Sequence, residues 1–330
     1  MKQQTFENLH AKFWDVFESD LQAYDKKNSK NYRPANEKQN EHFVNNYRVV
    51  CQHYSLAKGR AYSNNLVNKL HSLAMGGHQV LYKRNNIPLG RILSFITIEF
   101  PSAVRAEYKL MIASILLFFG VLVGSAALVV VKPDIAYAVA GEYQLKQIEK
   151  MYDPAERENL GRERDSDSDI LMFGYYIRNN TGIGLGTFAS GIVLGIGTVI
   201  ILLFNALYIG VVSGHIINVG FIDTFYPFVV GHGSFELTAI ALAGCSGLKL
   251  GMALLSPGRY SRFDSVKRSA LGIMPIVIGM MGMFIIAAFI EAFWSSSTLL
   301  TNETKYITGA ILWVFVILYF IFSGRGRANR

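Results

Sequence analysis

His232 and Glu236 lie four positions apart in a block of sequence where charge is rare. The block, residues 182–255, is apolar and rich in glycine, and its other acidic, basic or histidine residues are His215, Asp223 and Lys249. Placing an ionised side chain at the centre of a bilayer costs about 2.5 to 3.5 kcal/mol even on insertion scales. We therefore expect other groups in the protein to hold His232 and Glu236.

A structural lock is the first interpretation of this pair. If a helix begins near Gly233, Glu236 lies in its first turn, where the helix dipole favours a carboxylate, and Ser234 can cap that turn. His232 can then hydrogen-bond to Glu236. The polar core predicted around the pair consists of His232, Glu236, His215, Asn205 and Glu291.

Two other interpretations stay open for the same residues. Ionisable side chains that face one another inside a bundle often mark an ion or proton route, so the polar core could line a path in a channel or transporter. Imidazole and carboxylate groups also suit a zinc-dependent intramembrane hydrolase. The order His-x-x-x-Glu differs from the His-Glu-x-x-His arrangement of zinc proteases, however, so we predict no metal, no cofactor and no catalytic residue.

The elements that must position these residues divide the chain in two. Residues 1–109 are polar and predict a cytoplasmic or interfacial helical segment, whereas 110–330 hold most of the apolar residues and predict a transmembrane domain. The beginning of the chain lacks the pattern of a cleaved signal peptide, so we expect the first span to serve as the signal. Cys51 and Cys245 occur in these different environments and are expected to be free thiols.

Long uncharged segments predict the spans. Leu110–Val131 is long enough to cross a bilayer, and 269–290 and 306–322 are the next clearest candidates. Between them, 182–200, 201–219 and 234–255 bring the preferred count to six. Four or five spans with a re-entrant or broken helix near 214–233 are the alternative. The fold class is therefore an all-α, polytopic membrane protein.

Basic residues predict the orientation. Residues 1–109 carry 16 Lys and Arg against 9 Asp and Glu, while 132–178 carry 7 against 10. Because cytoplasmic loops are rich in Lys and Arg, both termini are expected in the cytoplasm and the loop at about 132–178 outside. The basic turn at Pro257, Gly258 and Arg259 should also be cytoplasmic. The net charge of +8 has this ordinary explanation, and we expect no nucleic-acid partner.

Small residues predict close helix packing. Ala239, Ala243, Gly247 and Gly251 recur every four positions, and Gly191 and Gly195 repeat the same spacing. This spacing lets membrane helices approach closely, either within one subunit or between the subunits of a homo-oligomer. Contact with the lipid bilayer and homo-oligomer formation are both expected.

Several segments resemble the stage II sporulation protein M family. They are FITIEFPSAVR from Phe95, Asn179-Asn180, Phe204-Asn205, Tyr208 to Gly210 with Gly214, GHGSFELTAIALAGCSGLKLG from Gly231, ALLSPGRYSR from Ala253, and Ile290-Glu291. The resemblance implies an integral protein of the bacterial inner membrane. In spore formers the namesake is a scaffold for peptidoglycan-remodelling partners, and this chain is more similar to the broader branch found also in organisms that do not sporulate. The expected function is a non-enzymatic scaffold or assembly factor with membrane or envelope partners.

Overall fold

The computed structural model describes residues 1–27, 37–82, 89–155, 166–297 and 299–325, and the regular elements within them are helical. The α-helices are α1 Gln3–Lys27, α2 Glu37–Gly59, α3 Asn64–Tyr82, α4 Leu89–Ser94, α5 Phe100–Ala106, α6 Tyr108–Val131, α7 Asp134–Ala140, α8 Glu142–Tyr152, α9 Ser166–Ala189, α10 Ile196–Val219, α11 Ile222–Leu255, α12 Arg262–Phe289 and α13 Asn302–Phe322. A π-helical turn at Phe95–Glu99 joins α4 to α5, a 3-10 turn at Ser190–Ile192 follows α9, and a second π-helical segment, Ile290–Ser295, continues α12.

The chain forms two compact units, Met1–Pro88 and Leu89–Arg330, which we call unit 1 and unit 2. Unit 1 contains α1, α2 and α3 around an aromatic and aliphatic core. Its fully or nearly fully buried members include Phe6, Trp14, Phe17, Phe43, Val50, Leu66, Leu70 and Leu73. The sequence-based boundary at 109 differs from this division because residues 89–106 form α4, the π-helical turn and α5 and pack within unit 2.

Unit 2 is the membrane part of the protein. Five helices in the described residues are long and apolar enough to cross a bilayer, namely α6, α10, α11, α12 with its π-helical extension, and α13. The helix α9 has the length of a span, but Arg178, Asn179 and Asn180 near its middle make it more polar than those five. Many apolar side chains on these helices stay exposed in the isolated chain, as expected for surfaces that contact lipid.

Contacts between α6 and α10 fix their relative direction. A Cβ added at Gly210 would lie 2.3 Å from Leu122 O, and one added at Gly214 would lie 2.5 Å from Ala126 O. Because both positions advance together along the chain, α6 and α10 run parallel. The chain must therefore return between them, and in the described residues α9 is the element long enough to do so.

Several predicted boundaries in this region are wrong. The predicted break between 200 and 201 falls inside α10. The helices α10 and α11 are instead separated at Gly220 and Phe221, within the region 214–233, and α11 then continues through Gly233, so no helix starts there. Continuing the helix through Gly233 keeps its backbone groups hydrogen-bonded, which lipid requires. The helices α7 and α8 occupy the predicted outer loop, and α9 begins at Ser166, while 156–165 lie outside the described residues.

Glycine allows the tightest helix contacts of unit 2. A Cβ added at Gly191 would lie 2.1 Å from Gly247 O, and one added at Gly251 would lie 2.4 Å from the Gly195 Cα atom. The backbone of α11 therefore touches the turn between α9 and α10 directly. Ala239 and Ala243, farther along the same face of α11, are completely buried. These small-residue contacts lie within the one chain.

The turn between α11 and α12 contains the predicted Pro257, Gly258 and Arg259. Gly258 adopts φ +63°, a left-handed conformation that glycine accepts without a Cβ clash. Tyr260 N donates to Pro257 O at 3.3 Å. The Ser261 hydroxyl then accepts from Asp264 N at 3.1 Å and caps α12.

Candidate functional site

A polar cluster joins α11 to the π-helical segment that ends α12. His232 and Glu236 lie one turn apart on the same face of α11, and Glu291 approaches them from the π-helical segment. One ligand-type atom from each of these three residues can be chosen so that all lie within 4.8 Å of one another. Single π-helical turns are rare and often occur at functional sites. We call His232, Glu236 and Glu291 the outer polar cluster, after the predicted outer loop that contains the neighbouring helix α8.

The histidine of the outer polar cluster is the most enclosed of the three. His232 is 5% exposed, its Nδ1 atom lies 3.1 Å from Ser295 Oγ, and its Nε2 atom lies 3.8 Å from Glu236 Oε2. The second distance is longer than a hydrogen bond. The imidazole is thus hydrogen-bonded on one side and faces the carboxylates on the other.

The π-helical segment carries further contacts that fix the cluster. Lys305 of α13 is 1% exposed and donates from Nζ to Ser295 O at 2.8 Å. The Trp294 ring lies where a side chain at Gly231 would be, since a Cβ there would come within 2.5 Å of it. The π-helical segment therefore joins α11, α12 and α13.

Tyr152, the last residue of α8, covers the cluster. Its ring packs edge-to-face against Phe225 and Phe228, and its backbone oxygen accepts from the Thr224 hydroxyl at 2.5 Å. Burial raises the pKa of the Tyr152 phenol, and nearby Glu291, Tyr176 and Glu236 raise it further. The end of α8 thus closes the outer polar cluster on the side of the predicted outer loop.

The other members of the predicted polar core lie elsewhere. The Nε2 atom of His215 lies 2.7 Å from Glu149 Oε1 of α8, and its buried Nδ1 atom has no hydrogen-bond partner among the described residues. The Asn205 side chain donates to Ile201 O at 2.8 Å. The structure therefore brings together three of the five predicted residues and separates His215 and Asn205 from them.

Asn205 lines a cavity of about 600 Å³ that is open to the surface between α9 and α10. Arg178 and Asn179 line the same cavity together with small and apolar residues. Sequence reasoning did not connect Arg178 with Asn205, because the two residues lie on different helices. The segments Asn179-Asn180 and Phe204-Asn205 were recognised only as separate parts of the family resemblance, which does not indicate that they line one cavity.

An ion pair lies at the opposite end of α11. The Lys249 ammonium group lies 2.6 Å from Glu107 Oε1, at the junction of α5 and α6, and both side chains are partly buried. The Cys245 thiol, one turn before Lys249, is buried and free. Sequence analysis identified Lys249 as a rare charge without finding its partner.

Comparisons with known proteins cover both units. A family model described as Stage II sporulation protein M matches residues 113–296, a range that contains the whole outer polar cluster. A second model, described as Domain of unknown function (DUF8413), matches residues 4–83. No curated protein and no solved structure gives a significant match to the chain.

Proposed function

The chain belongs to the stage II sporulation protein M family, and from that premise we propose that it acts as a non-enzymatic scaffold or assembly factor for membrane or envelope complexes. We place it in the bacterial cytoplasmic membrane, with membrane or envelope proteins as partners and a homo-oligomer as its working form. A scaffold must keep a fixed shape in the bilayer.

Paired polar groups carry the proposal. Lys249 pairs with Glu107, His215 with Glu149, and His232 and Lys305 both bind Ser295. Each of these contacts joins two different elements of unit 2. Such pairing is what a rigid bundle needs, because an ionisable group left alone in the bilayer would be costly.

The proposed orientation follows from helix direction and basic residues. If α9 crosses the bilayer together with the five apolar helices, the spans number six and both termini share one side. The excess of Lys and Arg in residues 1–109 favours the cytoplasm as that side. The helices α7 and α8 would then lie on the outer surface, where an envelope partner could bind.

A channel or transporter is the second candidate. The observation that favours it is the cavity beside Arg178, Asn179 and Asn205 at span depth, together with the outer polar cluster. Polar side chains within spans commonly mark substrate or ion routes. A transport role requires a continuous hydrated route through the bundle, which a scaffold does not.

The mass of the assembled complex tests the scaffold proposal. The full-length chain would be extracted from native membranes into lipid nanodiscs and compared with the same chain purified alone. We expect a larger complex from native membranes, and no ion flux when the purified chain is reconstituted in vesicles. The same mass from both sources, combined with an ion flux that Glu236→Gln abolishes, would overturn the proposal in favour of the channel.

A further inference from the structure

The outer polar cluster has the donor set of a metal site. It offers one imidazole nitrogen and two carboxylate oxygens, all within 4.8 Å of one another. Imidazole nitrogen and carboxylate oxygen are both zinc ligands, and in a site with three protein ligands a water molecule completes the four-coordinate shell. The spacing of the donor atoms requires only small side-chain movements to surround one cation.

The orientation of His232 is a second, independent observation. Its Nδ1 atom lies 3.1 Å from Ser295 Oγ, so Nδ1–H can donate to the hydroxyl and leave the lone pair on Nε2. The Nε2 atom faces Glu236 at 3.8 Å. Metal-binding histidines usually have this arrangement, with the second ring nitrogen held by an oxygen acceptor.

Charge also favours a bound cation. The chosen oxygens of Glu236 and Glu291 lie within 4.8 Å of each other, so these carboxylates, when both are ionised, repel each other by roughly 3 kcal/mol at an effective dielectric constant of 20. A divalent cation between Glu236 and Glu291 would turn this repulsion into attraction.

We propose that His232, Glu236 and Glu291 bind one divalent transition-metal cation of the zinc type, which clamps α11 to the π-helical end of α12. Tyr152 covers the site from α8. The proposal departs from the sequence-based prediction of no metal, concerns binding and rigidity, and adds no reaction. It goes beyond the scaffold role and does not depend on it.

Metal content of the full-length protein tests the proposal. Purified protein in detergent would be treated with a chelator, loaded with Zn²⁺ or Mn²⁺, desalted and measured by inductively coupled plasma mass spectrometry. We expect about one zinc per chain and at least a roughly tenfold loss in His232→Gln, Glu236→Gln and Glu291→Gln. Zinc should also raise the Tm of the wild type and not that of these variants.

Matched controls separate this site from other zinc-binding groups. His215→Gln and Glu107→Gln remove a buried imidazole and a carboxylate outside the cluster, and both should keep the zinc. His10→Gln tests the neighbouring His10 and His53 rings of unit 1, whose centroids lie 4.1 Å apart, and it should also keep the zinc.

A variant that restores a ligand distinguishes loss of the metal donor from misfolding. Glu291→His supplies a different donor at the same position and should recover zinc that Glu291→Gln loses. Wild-type protein that holds less than about a tenth of a zinc per chain, or equal zinc in wild type and Glu291→Gln, would overturn the metal site. Neither result would change the complex mass expected of a scaffold, so the two proposals fail separately.

Discussion

Unit 1 and unit 2 both bury large apolar side chains, but unit 2 adds direct contacts between helix backbones at glycine. In unit 1, large residues such as Trp14 and Phe17 are almost completely buried, and the Phe17 ring stacks on Phe43 with centroids 5.3 Å apart. In unit 2, the closest contacts occur where glycine lets one backbone touch another, as between Gly251 and Gly195. The helices of this one chain therefore pack in two different ways.

The difference reflects the solvent in which each unit must hold together. In water, removing large apolar surfaces stabilises a core by roughly 25 cal/mol per Å². In lipid that gain is absent between helices, and association depends on close van der Waals contact and polar links. Unit 2 accordingly combines small residues with pairs such as Lys249 and Glu107. Large-to-small changes should harm unit 1 most, and small-to-large changes should harm unit 2 most.

The largest effect is expected from Phe17→Ala. Removing this fully buried ring should destabilise unit 1 by about 3 to 5 kcal/mol, because the lost contacts leave a cavity against Phe43. Hydrogen exchange of α1–α3 in the full-length protein measures the loss. Val16→Ala, at an adjacent side chain that is 56% exposed, should change exchange very little. Equal protection in the two variants would show that the aromatic core does not stabilise unit 1.

The second effect, in unit 2, reverses the direction of the substitution. Gly251→Ala adds one methyl group that would come 2.4 Å from the backbone of Gly195, so we expect a loss of about 1 to 3 kcal/mol in folded stability. Gly233→Ala adds the same group on the same helix, where the closest atom is Val229 Cγ1 at 3.6 Å. This control should be neutral or slightly stabilising.

Reversible unfolding of unit 2 in mixed micelles would compare the two variants. If Gly251→Ala is as stable as Gly233→Ala, the close backbone contact contributes nothing. The claim that unit 2 depends on close contacts between small residues would then be wrong.

A third, smaller effect is expected from the ion pair of Lys249 and Glu107. Glu107→Gln should cost about 2 kcal/mol, because it removes a charged hydrogen bond and leaves the ammonium group partly buried. A double-mutant cycle with Lys249→Met, followed by unfolding in micelles, isolates the pairwise energy. Additive single and double variants would mean that this contact does not join α11 to the start of α6.

The smallest effect is a pH dependence in unit 1. Trp14 Nε1 donates to His53 Nδ1 at 3.0 Å, and burial, followed by the charge of His10, lowers the pKa of His53 below its usual 6.5. The unfolded chain therefore binds the proton more readily than the folded chain. Stability should be fully present above pH 6.5 and decline as the pH falls through the lowered pKa.

Hydrogen exchange of α1–α3 between pH 7.5 and pH 5 measures this dependence after correction for intrinsic exchange rates. His53→Gln keeps an acceptor for Trp14 and should remove the dependence. His71→Gln, at an exposed histidine, should leave it in place. A pH profile unchanged by His53→Gln would assign the dependence to another group.

The amino-acid sequence was informative about classes of structure and less so about boundaries. The long apolar runs predicted a helical membrane protein, which is confirmed, and Leu110–Val131 lies within α6. The glycines between residues 182 and 255 were less easily interpreted, because a glycine can either break a helix or let two helices touch. At Gly233 it does neither, and α11 continues through it.

The residues of the candidate site could be predicted because placing an ionisable side chain in lipid costs free energy. His232, Glu236 and Glu291 were selected for that reason, and the structure places them together. His215 was selected for the same reason but pairs with Glu149 of α8, a helix whose position no spacing rule gives. The sequence reveals which groups need partners, whereas tertiary packing decides which partners they have.

The most direct test of the account measures folded abundance and ion flux together in His232→Ala and Glu236→Ala. If paired polar groups hold unit 2 as a rigid scaffold, both variants should show similarly reduced amounts of folded protein in the membrane. Wild-type vesicles should then pass no more ions than empty vesicles. Normal abundance of both variants, with a wild-type flux that both variants lose, would contradict the scaffold and identify an ion path.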